Sequence, residues 1–307
     1  MYQEVIVFLV ACFVLYKAGF YAVKSVTHLA RALRVTEFVT SFILIAFISS
    51  LPEAFISIVA AFEGDPSLGI GTLLGSNIAD LTLILGIVGL AGRGLRIHSS
   101  IIRKDIYFVA LTILPVLLGI DGTLSRIDAI VLLCAGIGFA YVLIKERAYF
   151  HEEHHEHDHL LKSVIVLLVS LAALLLSAHA IVWSTHSLAI GLGVSSLLLG
   201  LVFTALGTTL PELTFSLQSI KKKHASLALG DILGVVVVDA TIMVGLTALI
   251  MPITLNLFVF GVVGVFTAFA AVFAVLFMRS GKMLSTEESL TLIFFYVAFV
   301  VAQVLLR

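Results

Sequence analysis

The chain has 307 residues, of which 61% are hydrophobic and 12% charged, and its formal net charge is −1 at pH 7. A soluble protein of this length exposes far more charge, so the composition predicts an integral membrane protein. The near-neutral net charge argues against a nucleic-acid partner. No Ser/His/Asp or HExxH arrangement stands out, so we do not expect an enzyme.

Apolar runs long enough to cross a bilayer, which takes about 20 residues, occur ten times along the chain. They lie at 4–23, 37–62, 67–92, 102–120, 125–145, 161–184, 196–220, 226–250, 256–278 and 287–306. The first run lacks a basic leading segment and a cleavage site, so we interpret it as a spanning helix rather than a signal peptide. The sequence therefore predicts an all-α membrane protein with ten transmembrane helices.

Lysine and arginine concentrate in alternate connections, those that follow the odd-numbered spans. The positive-inside rule places these connections in the cytoplasm and both termini outside. The second span then enters the membrane from the cytoplasm and the seventh from outside, which predicts two inverted five-helix repeats. The expected division is a first repeat at 1–145, a cytoplasmic loop at 146–160 and a second repeat at 161–307.

The tripeptide Leu51-Pro52-Glu53 recurs in the second half of the chain as Leu210-Pro211-Glu212, and each copy lies inside an apolar run. A carboxylate at membrane depth is costly, so a repeated one indicates function. Proline interrupts the helix beside each glutamate and frees backbone carbonyls to act as ligands. Two broken helices in corresponding halves predict the ion site of a transporter, with Glu53 and Glu212 as cation ligands.

The offset between the two tripeptides also pairs Asp80 with Asp239, so the spacing from glutamate to aspartate is the same in both halves. That spacing lets the chain cross one helix and return to a similar depth on the next, so the four carboxylates are expected to converge. The hydroxyl residues expected beside them are Ser49, Ser50, Ser76, Thr208 and Thr209, and the Asn77 amide is expected with Ser76 on the third span. Carboxylates and hydroxyls are hard oxygen donors, which suit Ca²⁺ and also Na⁺, but not soft metals.

These motifs resemble the two alpha repeats of the cation/calcium exchanger superfamily, in its sodium/calcium exchanger branch. Ser49 to Glu53 and Gly207 to Glu212 resemble the G-T-S-L-P-E core of those repeats, and Gly75 to Asp80 resembles their G-S-N-I-x-D/N segment. The resemblance implies an antiporter that exchanges Ca²⁺ for Na⁺, or for H⁺ or K⁺, by alternating access. It also implies that the first and sixth spans move against the core that carries the two broken helices.

Carried over by position, the resemblance makes Glu53 and Glu212 the central Ca²⁺ ligands. It adds the side chains of Ser49 and Thr208 and the carbonyls of Ala46 and Ala205. The further oxygen donors and the second acidic pair would be Ser50, Ser76, Thr209, Asp80 and Asp239. No cofactor is expected beyond the transported Ca²⁺ and Na⁺ or H⁺. The expected partners are membrane lipid and inorganic cations, with the monomer as the functional unit.

The second repeat departs from the family pattern at two positions. Val235 stands where the first repeat has Ser76, so one monovalent-ion site loses a hydroxyl donor. Asp231 replaces the usual asparagine and pairs with Thr72, and its place in the vestibule or in the site stays open. Divalent-cation binding is thus better supported than Na⁺ coupling, and proton coupling by the clustered carboxylates stays an alternative.

Residues 151–159 of the central loop contain five histidines and four acidic residues. Such a segment binds Zn²⁺, Ni²⁺ or Cu²⁺ in some proteins, and in others is a solvated linker. It supports an alternative function, a transition-metal or Mg²⁺ cation/proton transporter with a histidine-rich cytosolic loop. Against this alternative, no histidine lies in the repeated motifs, where such a transporter would need nitrogen ligands.

Overall fold

The structure is a computed structural model, and it describes most of the chain. The described residues are 2–32, 46–92, 95–96, 105–145, 160–221, 225–280 and 283–305. The first part of the predicted second span (37–45), the start of the fourth (102–104) and the histidine-rich segment at 151–159 lie outside these ranges.

Helices make up nearly all of the described residues. In the first half they are α1 (Tyr2–Ala32), α2 (Ala46–Ser49), α3 (Leu51–Phe62), α4 (Pro66–Ala79), α5 (Leu85–Ala91), α6 (Asp105–Leu118) and α7 (Arg126–Lys145). In the second half they are α8 (Leu160–Leu192), α9 (Ser196–Leu199), α10 (Ala205–Thr208), α11 (Leu210–Lys221), α12 (Ala225–Val238), α13 (Val244–Ile250), α14 (Leu257–Arg279) and α15 (Thr286–Leu305). The predicted helical fold class is therefore confirmed.

Short π-helical turns join several of these helices into longer rods. They are Asp80–Ile84 between α4 and α5, Gly200–Thr204 between α9 and α10, and Asp239–Met243 between α12 and α13. Each turn continues the helix on both sides, so a single rod runs from Pro66 to Ala91 and a second from Leu227 to Ile250.

Seven helical segments in the described part of the chain are long and apolar enough to cross a membrane. They are Tyr2–Val26, Pro66–Ala91, Leu160–Leu192, Ser196–Lys221, Leu227–Ile250, Leu257–Arg279 and Thr286–Leu305. Shorter apolar helices occupy Leu51–Phe62 and Ile106–Asp121, inside two further predicted spans. The chain is an all-α, multi-pass integral membrane protein.

Two repeat-related rods form the centre of the molecule. In their most apolar stretches, 83% of Pro66–Ala91 and 78% of Leu227–Ile250 is buried, against 28% for Tyr2–Val26 and for Leu160–Leu192. The long helices α1 and α8 pack along each other at the periphery. Because a helix that is apolar on all sides is stable only when protein or lipid covers it, the exposed apolar faces of α1 and α8 are suited to lipid.

Glycines bring α4 close to the second half of the chain. Gly71 and Gly75 have the four-residue spacing that lets helices approach closely. A Cβ atom added at Gly71 would lie 2.6 Å from the carbonyl oxygen of Leu197, and one at Gly75 would meet the Leu201 carbonyl. Main chain thus contacts main chain where α4 crosses the helix that begins at Ser196.

Two short antiparallel ladders connect the halves at the helix ends. Strand β1 (Leu95–Arg96) pairs with β4 (Met283–Leu284), and β2 (Thr123–Leu124) pairs with β3 (Ile253–Thr254). Each ladder joins one strand of the first half to one of the second. The ladders therefore tie the connections of the two halves together outside the helical core.

Candidate functional site

The helix is interrupted at the same point in both copies of the Leu-Pro-Glu tripeptide. Helix α2 ends one residue before α3 begins, with Ser50 between them at φ −69° and ψ −5°. Helix α10 likewise ends one residue before α11, with Thr209 at φ −77° and ψ −2°. The nearly identical backbone angles show that the two segments adopt the same local structure, as their sequences predict.

Proline explains why each interruption exposes backbone oxygen. Pro52 and Pro211 have no N–H group, so they cannot donate to the carbonyls of Ile48 and Gly207, four residues earlier. Carbonyls released in this way are strong cation ligands inside a membrane protein, where water does not compete for them. Each broken helix thus places a free carbonyl within one turn of a glutamate.

Four predicted ligands, Glu53, Asp80, Glu212 and Asp239, are fully buried, with 0% of each residue exposed. Glu53 interacts electrostatically with each of the other three. Asp80 also interacts with Glu212 and Asp239. The structure therefore brings the two acidic pairs, one from each half of the chain, into a single buried cluster.

Most oxygen atoms of this cluster accept no hydrogen bond. Among the described residues, both carboxylate oxygens of Glu53, Asp80 and Glu212 and the Oδ1 atom of Asp239 have no donor. A buried carboxylate without a donor or counter-charge costs several kcal/mol, on the order of 3–5 when a partner is removed. A bound cation supplies the missing positive charge, so the cluster fits cation binding better than a purely structural role.

The predicted hydroxyl ligands are also buried beside the acids. Ser76 donates to the Leu73 carbonyl at 3.0 Å and lies 3.4 Å from the Asp239 carboxylate. Thr208 lies beside Glu53, but its hydroxyl donates to the Ala205 carbonyl at 3.0 Å. A hydroxyl that donates its proton to a carbonyl keeps its oxygen lone pairs free for a cation.

The remaining predicted donors sit at the helix interruptions. Thr209 donates to the Leu206 carbonyl at 3.3 Å, whereas the Ser50 hydroxyl lies beside Asp239 and has no hydrogen-bond partner in the described part of the chain. The carbonyls of Ala46 and Ala205 accept backbone N–H groups at 3.0 and 3.1 Å. The Ala46 carbonyl keeps a second lone pair, whereas the Ala205 carbonyl also accepts the Thr208 hydroxyl. All of these atoms stay candidates for the ligand shell.

No ready-made cluster of three or more His, Cys, Asp and Glu side chains able to hold a metal ion occurs among the described residues. The candidate donors nearby are carboxylate, hydroxyl and carbonyl oxygens. Ca²⁺ accepts six to eight such oxygens in flexible geometry, whereas soft metals require thiolates or several imidazoles. The oxygen donors at this site therefore suit Ca²⁺ rather than a soft metal.

Two buried residues near the cluster, Asp231 and Tyr296, are absent from the predicted ligand set, and a third, Asn77, is the amide donor expected beside Ser76. Asp231 is fully buried, accepts a hydrogen bond from Ser49 at 2.8 Å and interacts with Glu53. Asn77 is fully buried, and its amide has no partner among the described residues. Tyr296 in α15 is buried beside Asp80. The motifs contain Asn77 and flag Asp231, but no local signal marks the tyrosine.

Comparison with known proteins identifies relatives of the whole chain. Residues 4–145 and 162–305 match the profile of the sodium/calcium exchanger protein family. The chain is 24% identical over 332 residues to the sodium/calcium exchanger MaX1 of Methanosarcina acetivorans, with 94% of each chain covered. It is 27% identical over 247 residues to the inner membrane protein YrbG of Escherichia coli, covering 75% of this chain and 74% of YrbG.

The fold matches solved structures as well. A structure of the sodium-calcium exchanger NCX_Mj superposes with a TM-score of 0.72, covering 97% of each chain at 24% sequence identity. At that identity the likeness shows a shared fold. The profile match, which takes in nearly the entire sequence on both sides of the central loop, shows the relationship.

Proposed function

The chain belongs to the sodium/calcium exchanger protein family, and we propose that it is a secondary-active antiporter that exchanges Ca²⁺ for Na⁺ by alternating access. The observation that carries this proposal is the pair of interrupted helices that bury Glu53 and Glu212 in one cluster. Neither the profile nor the relatives support the alternative of a transition-metal or Mg²⁺ transporter.

We assign the central Ca²⁺ contacts to Glu53 and Glu212. The ligand shell would be completed by the side chains of Ser49, Ser50, Ser76, Thr208 and Thr209, the carbonyls of Ala46 and Ala205, and the carboxylates of Asp80 and Asp239. In this proposal Ca²⁺ and the counter-ion compete for the same carboxylates. The cation-free cluster repels itself and resists passing through the closed state, which enforces exchange rather than leak.

Three structural correspondences support an arrangement of ten spans in two inverted repeats, 1–145 and 161–307. The helix interruptions at Ser50 and Thr209 share one geometry. Asp80 and Asp239, at the same offset, each begin a π-helical turn. The ladder of β1 with β4 has a counterpart in the ladder of β3 with β2. Inverted repeats allow one site to open to either side through symmetry-related conformations.

The contact between α1 and the two motifs supports movement of the peripheral helices. Gly19 of α1 faces both prolines: an added Cβ would lie 3.0 Å from Cγ of Pro211 and 3.4 Å from Cγ of Pro52. Because α1 also packs along α8, a shift of this pair changes access to both halves of the site. We propose that α1 and α8 move together across the core during exchange.

The charge distribution supports one orientation. With the lysine- and arginine-rich connections in the cytoplasm, both termini and the connection between α3 and α4 face outside, and the loop at 146–160 is cytoplasmic. In this orientation the expected physiological direction is extrusion of cytoplasmic Ca²⁺. The monomer contains all proposed ligands, so lipid and the transported cations are the only partners the proposal requires.

The counter-ion is tested with purified protein in liposomes. Vesicles loaded with Na⁺ and diluted into Na⁺-free buffer containing ⁴⁵Ca²⁺ are expected to accumulate Ca²⁺. Matched K⁺ and H⁺ gradients at equal ionic strength are expected to drive little uptake. Uptake that requires only the H⁺ or K⁺ gradient would assign a different counter-ion. Ca²⁺ flux without any counter-ion gradient or exchangeable ion would indicate a channel.

A further inference from the structure

The two halves of the site differ most at Asp231. The offset that pairs Glu53 with Glu212 also pairs Thr72 with Asp231 and Ser76 with Val235. Both members of each of these last two pairs are fully buried. The first half therefore presents two hydroxyls at these positions, whereas the second half presents a carboxylate and a side chain that has no polar atom.

Hydrogen bonds at the paired positions show that this difference has a structural consequence. Thr72 donates to the Leu68 carbonyl of its own helix at 2.9 Å. Ser49, a predicted ligand of the first half, instead donates to Oδ1 of Asp231 in the second half at 2.8 Å. Thr208, which is the repeat mate of Ser49, bonds within its own helix. Asp231 thus links the two halves at a point where its mate makes only a local contact.

The second carboxylate oxygen of Asp231 has no donor. Oδ2 is buried and lacks a hydrogen-bond partner among the described residues, although its neighbour Oδ1 is satisfied by Ser49. Asp231 also interacts electrostatically with Glu53, Asp80 and Glu212. It is therefore a fifth carboxylate of the cluster, with one oxygen fixed and the other available to a cation.

The Asp231 carboxylate lies close, along helix α12, to the position where the hydroxyl is missing. Asp231 and Val235 are four residues apart on α12, so they lie on the same helix face, one turn from each other. A carboxylate reaches further than a serine hydroxyl and carries a full negative charge. It is therefore suited to supply, from one turn away, the oxygen that Val235 cannot supply.

We propose that Asp231 is a ligand for Na⁺, and that its Oδ2 atom, the Ser49 hydroxyl oxygen and the Glu53 carboxylate form a counter-ion site between the two halves. The proposal rests on the antiport function above. Na⁺ is a hard cation that takes carboxylate and hydroxyl oxygens, and the hydrogen bond to Asp231 leaves the lone pairs of Ser49 free for it. The hydroxyl absent at Val235 is thereby replaced by a carboxylate.

The test compares two transport modes of the full-length Asp231→Asn protein in liposomes. Na⁺-driven ⁴⁵Ca²⁺ uptake reports the counter-ion site, and Ca²⁺/Ca²⁺ exchange in the absence of Na⁺ reports the Ca²⁺ site. We expect the Na⁺ concentration for half-maximal uptake to rise about 10-fold to 100-fold, in line with the loss of a group that supports a metal site. Ca²⁺/Ca²⁺ exchange is expected to change much less than the Na⁺ dependence.

Two further variants sharpen this comparison. The double variant D231N/V235S restores a hydroxyl in place of the carboxylate, and we expect it to recover most of the Na⁺ affinity. Thr72→Ser is the matched control at the repeat-related position, since it keeps the hydroxyl that bonds within its own helix. We expect this control to have wild-type Na⁺ dependence.

A folded D231N protein with unchanged Na⁺ dependence would overturn the proposal. So would an equal loss of both transport modes, which would assign Asp231 to Ca²⁺ or to structure, and so would a change confined to pH dependence. If D231N does not fold, Val235→Ser decides the question. The added hydroxyl beside Asp231 is expected to lower the Na⁺ concentration for half-maximal uptake, and an unchanged concentration would contradict the proposal. Absence of both modes in wild type would instead refute the antiport function itself.

Discussion

Asp80 and Asp239, which occupy matching positions in the two halves of the sequence, each begin a π-helical turn in the middle of a buried helix. A π turn adds one residue to a helical turn, and such turns occur frequently at functional sites. Both carboxylates are fully buried and interact with Glu53. The same local distortion in both halves thus places an acid in the cluster.

Asp80→Asn and Asp239→Asn are expected to stabilise the cation-free protein while weakening its response to Ca²⁺. Removing one of several neighbouring negative charges relieves repulsion, and about 1 kcal/mol corresponds to roughly 2–4 °C in Tm for a domain of 150–250 residues. Thermal unfolding in detergent with EDTA measures the first effect.

Addition of Ca²⁺ measures the second effect, because a ligand that binds only the folded state raises Tm by an amount that grows with the logarithm of its concentration over Kd. The expected rise is smaller in both variants than in wild type. Glu287→Gln, at an exposed position in the first turn of α15, is the control for loss of one negative charge. A full Ca²⁺-induced rise in both aspartate variants would contradict their place in the site.

Pro52→Ala and Pro211→Ala are expected to impair Ca²⁺ binding without unfolding the protein. Alanine restores the N–H group that can bond to the carbonyl four residues earlier, which favours a continuous helix and removes a free carbonyl. Ca²⁺ binding by isothermal titration is expected to weaken about tenfold, which is about 1.4 kcal/mol.

The control for the proline variants is Pro115→Ala, since Pro115 also lies inside a helix, α6, but away from the repeated motifs. Its Ca²⁺ affinity is expected to equal that of wild type. If all three substitutions had the same effect on binding, the interrupted helices would have no special role.

Close main-chain contact predicts a strict requirement for glycine at residue 71. Gly71→Ala places a methyl group 2.6 Å from the Leu197 carbonyl oxygen, so α4 and its neighbour must separate. Overpacking of this kind typically costs about 1–3 kcal/mol. We expect a lower Tm in detergent for G71A, whereas Gly261→Ala, where no atom lies within 4 Å, is expected to leave Tm unchanged or slightly raised. Equal Tm values would show that the helices can separate at no cost.

Movement of α1 across the two prolines predicts a kinetic defect at Gly19. A valine side chain at this position meets Pro211 and Pro52 and obstructs sliding, although Gly19 provides no ligand. In Gly19→Val we expect the exchange rate to fall about tenfold or more while the equilibrium Ca²⁺ affinity stays within about twofold. Gly138→Val, with open space around it, is the control. A rate equal to that of the control would argue against movement at this contact.

The helix interruptions were predictable from sequence because proline acts locally. The missing N–H group of Pro52 and Pro211 removes a backbone hydrogen bond at each position and favours an interruption there. The burial of Glu53 with Asp80 was also predictable, because their spacing fits two successive helices of the same hairpin. The repeated sequence then implied the same arrangement for the second half.

Features set by packing between distant elements were not predictable. Nothing near Tyr296 in the sequence shows that α15 places it beside Asp80. The sequence put Asp231 one turn from Val235, but the rotation of α12 decides whether a residue faces the cluster or a vestibule. That rotation depends on contact with α2, where Ser49 holds the carboxylate. The π turns at Asp80–Ile84 and Asp239–Met243 were likewise not predicted from the sequence.

The central claim is that Glu53 and Glu212 together bind the transported Ca²⁺, and Na⁺-driven ⁴⁵Ca²⁺ uptake in liposomes by Glu53→Gln and Glu212→Gln tests it most directly. The control is Glu63→Gln, since Glu63 lies outside the cluster and pairs with the exposed side chain of His179 at 2.7 Å. We predict uptake at background level for E53Q and for E212Q and at wild-type level for E63Q. Wild-type uptake by either buried-glutamate variant would contradict the account.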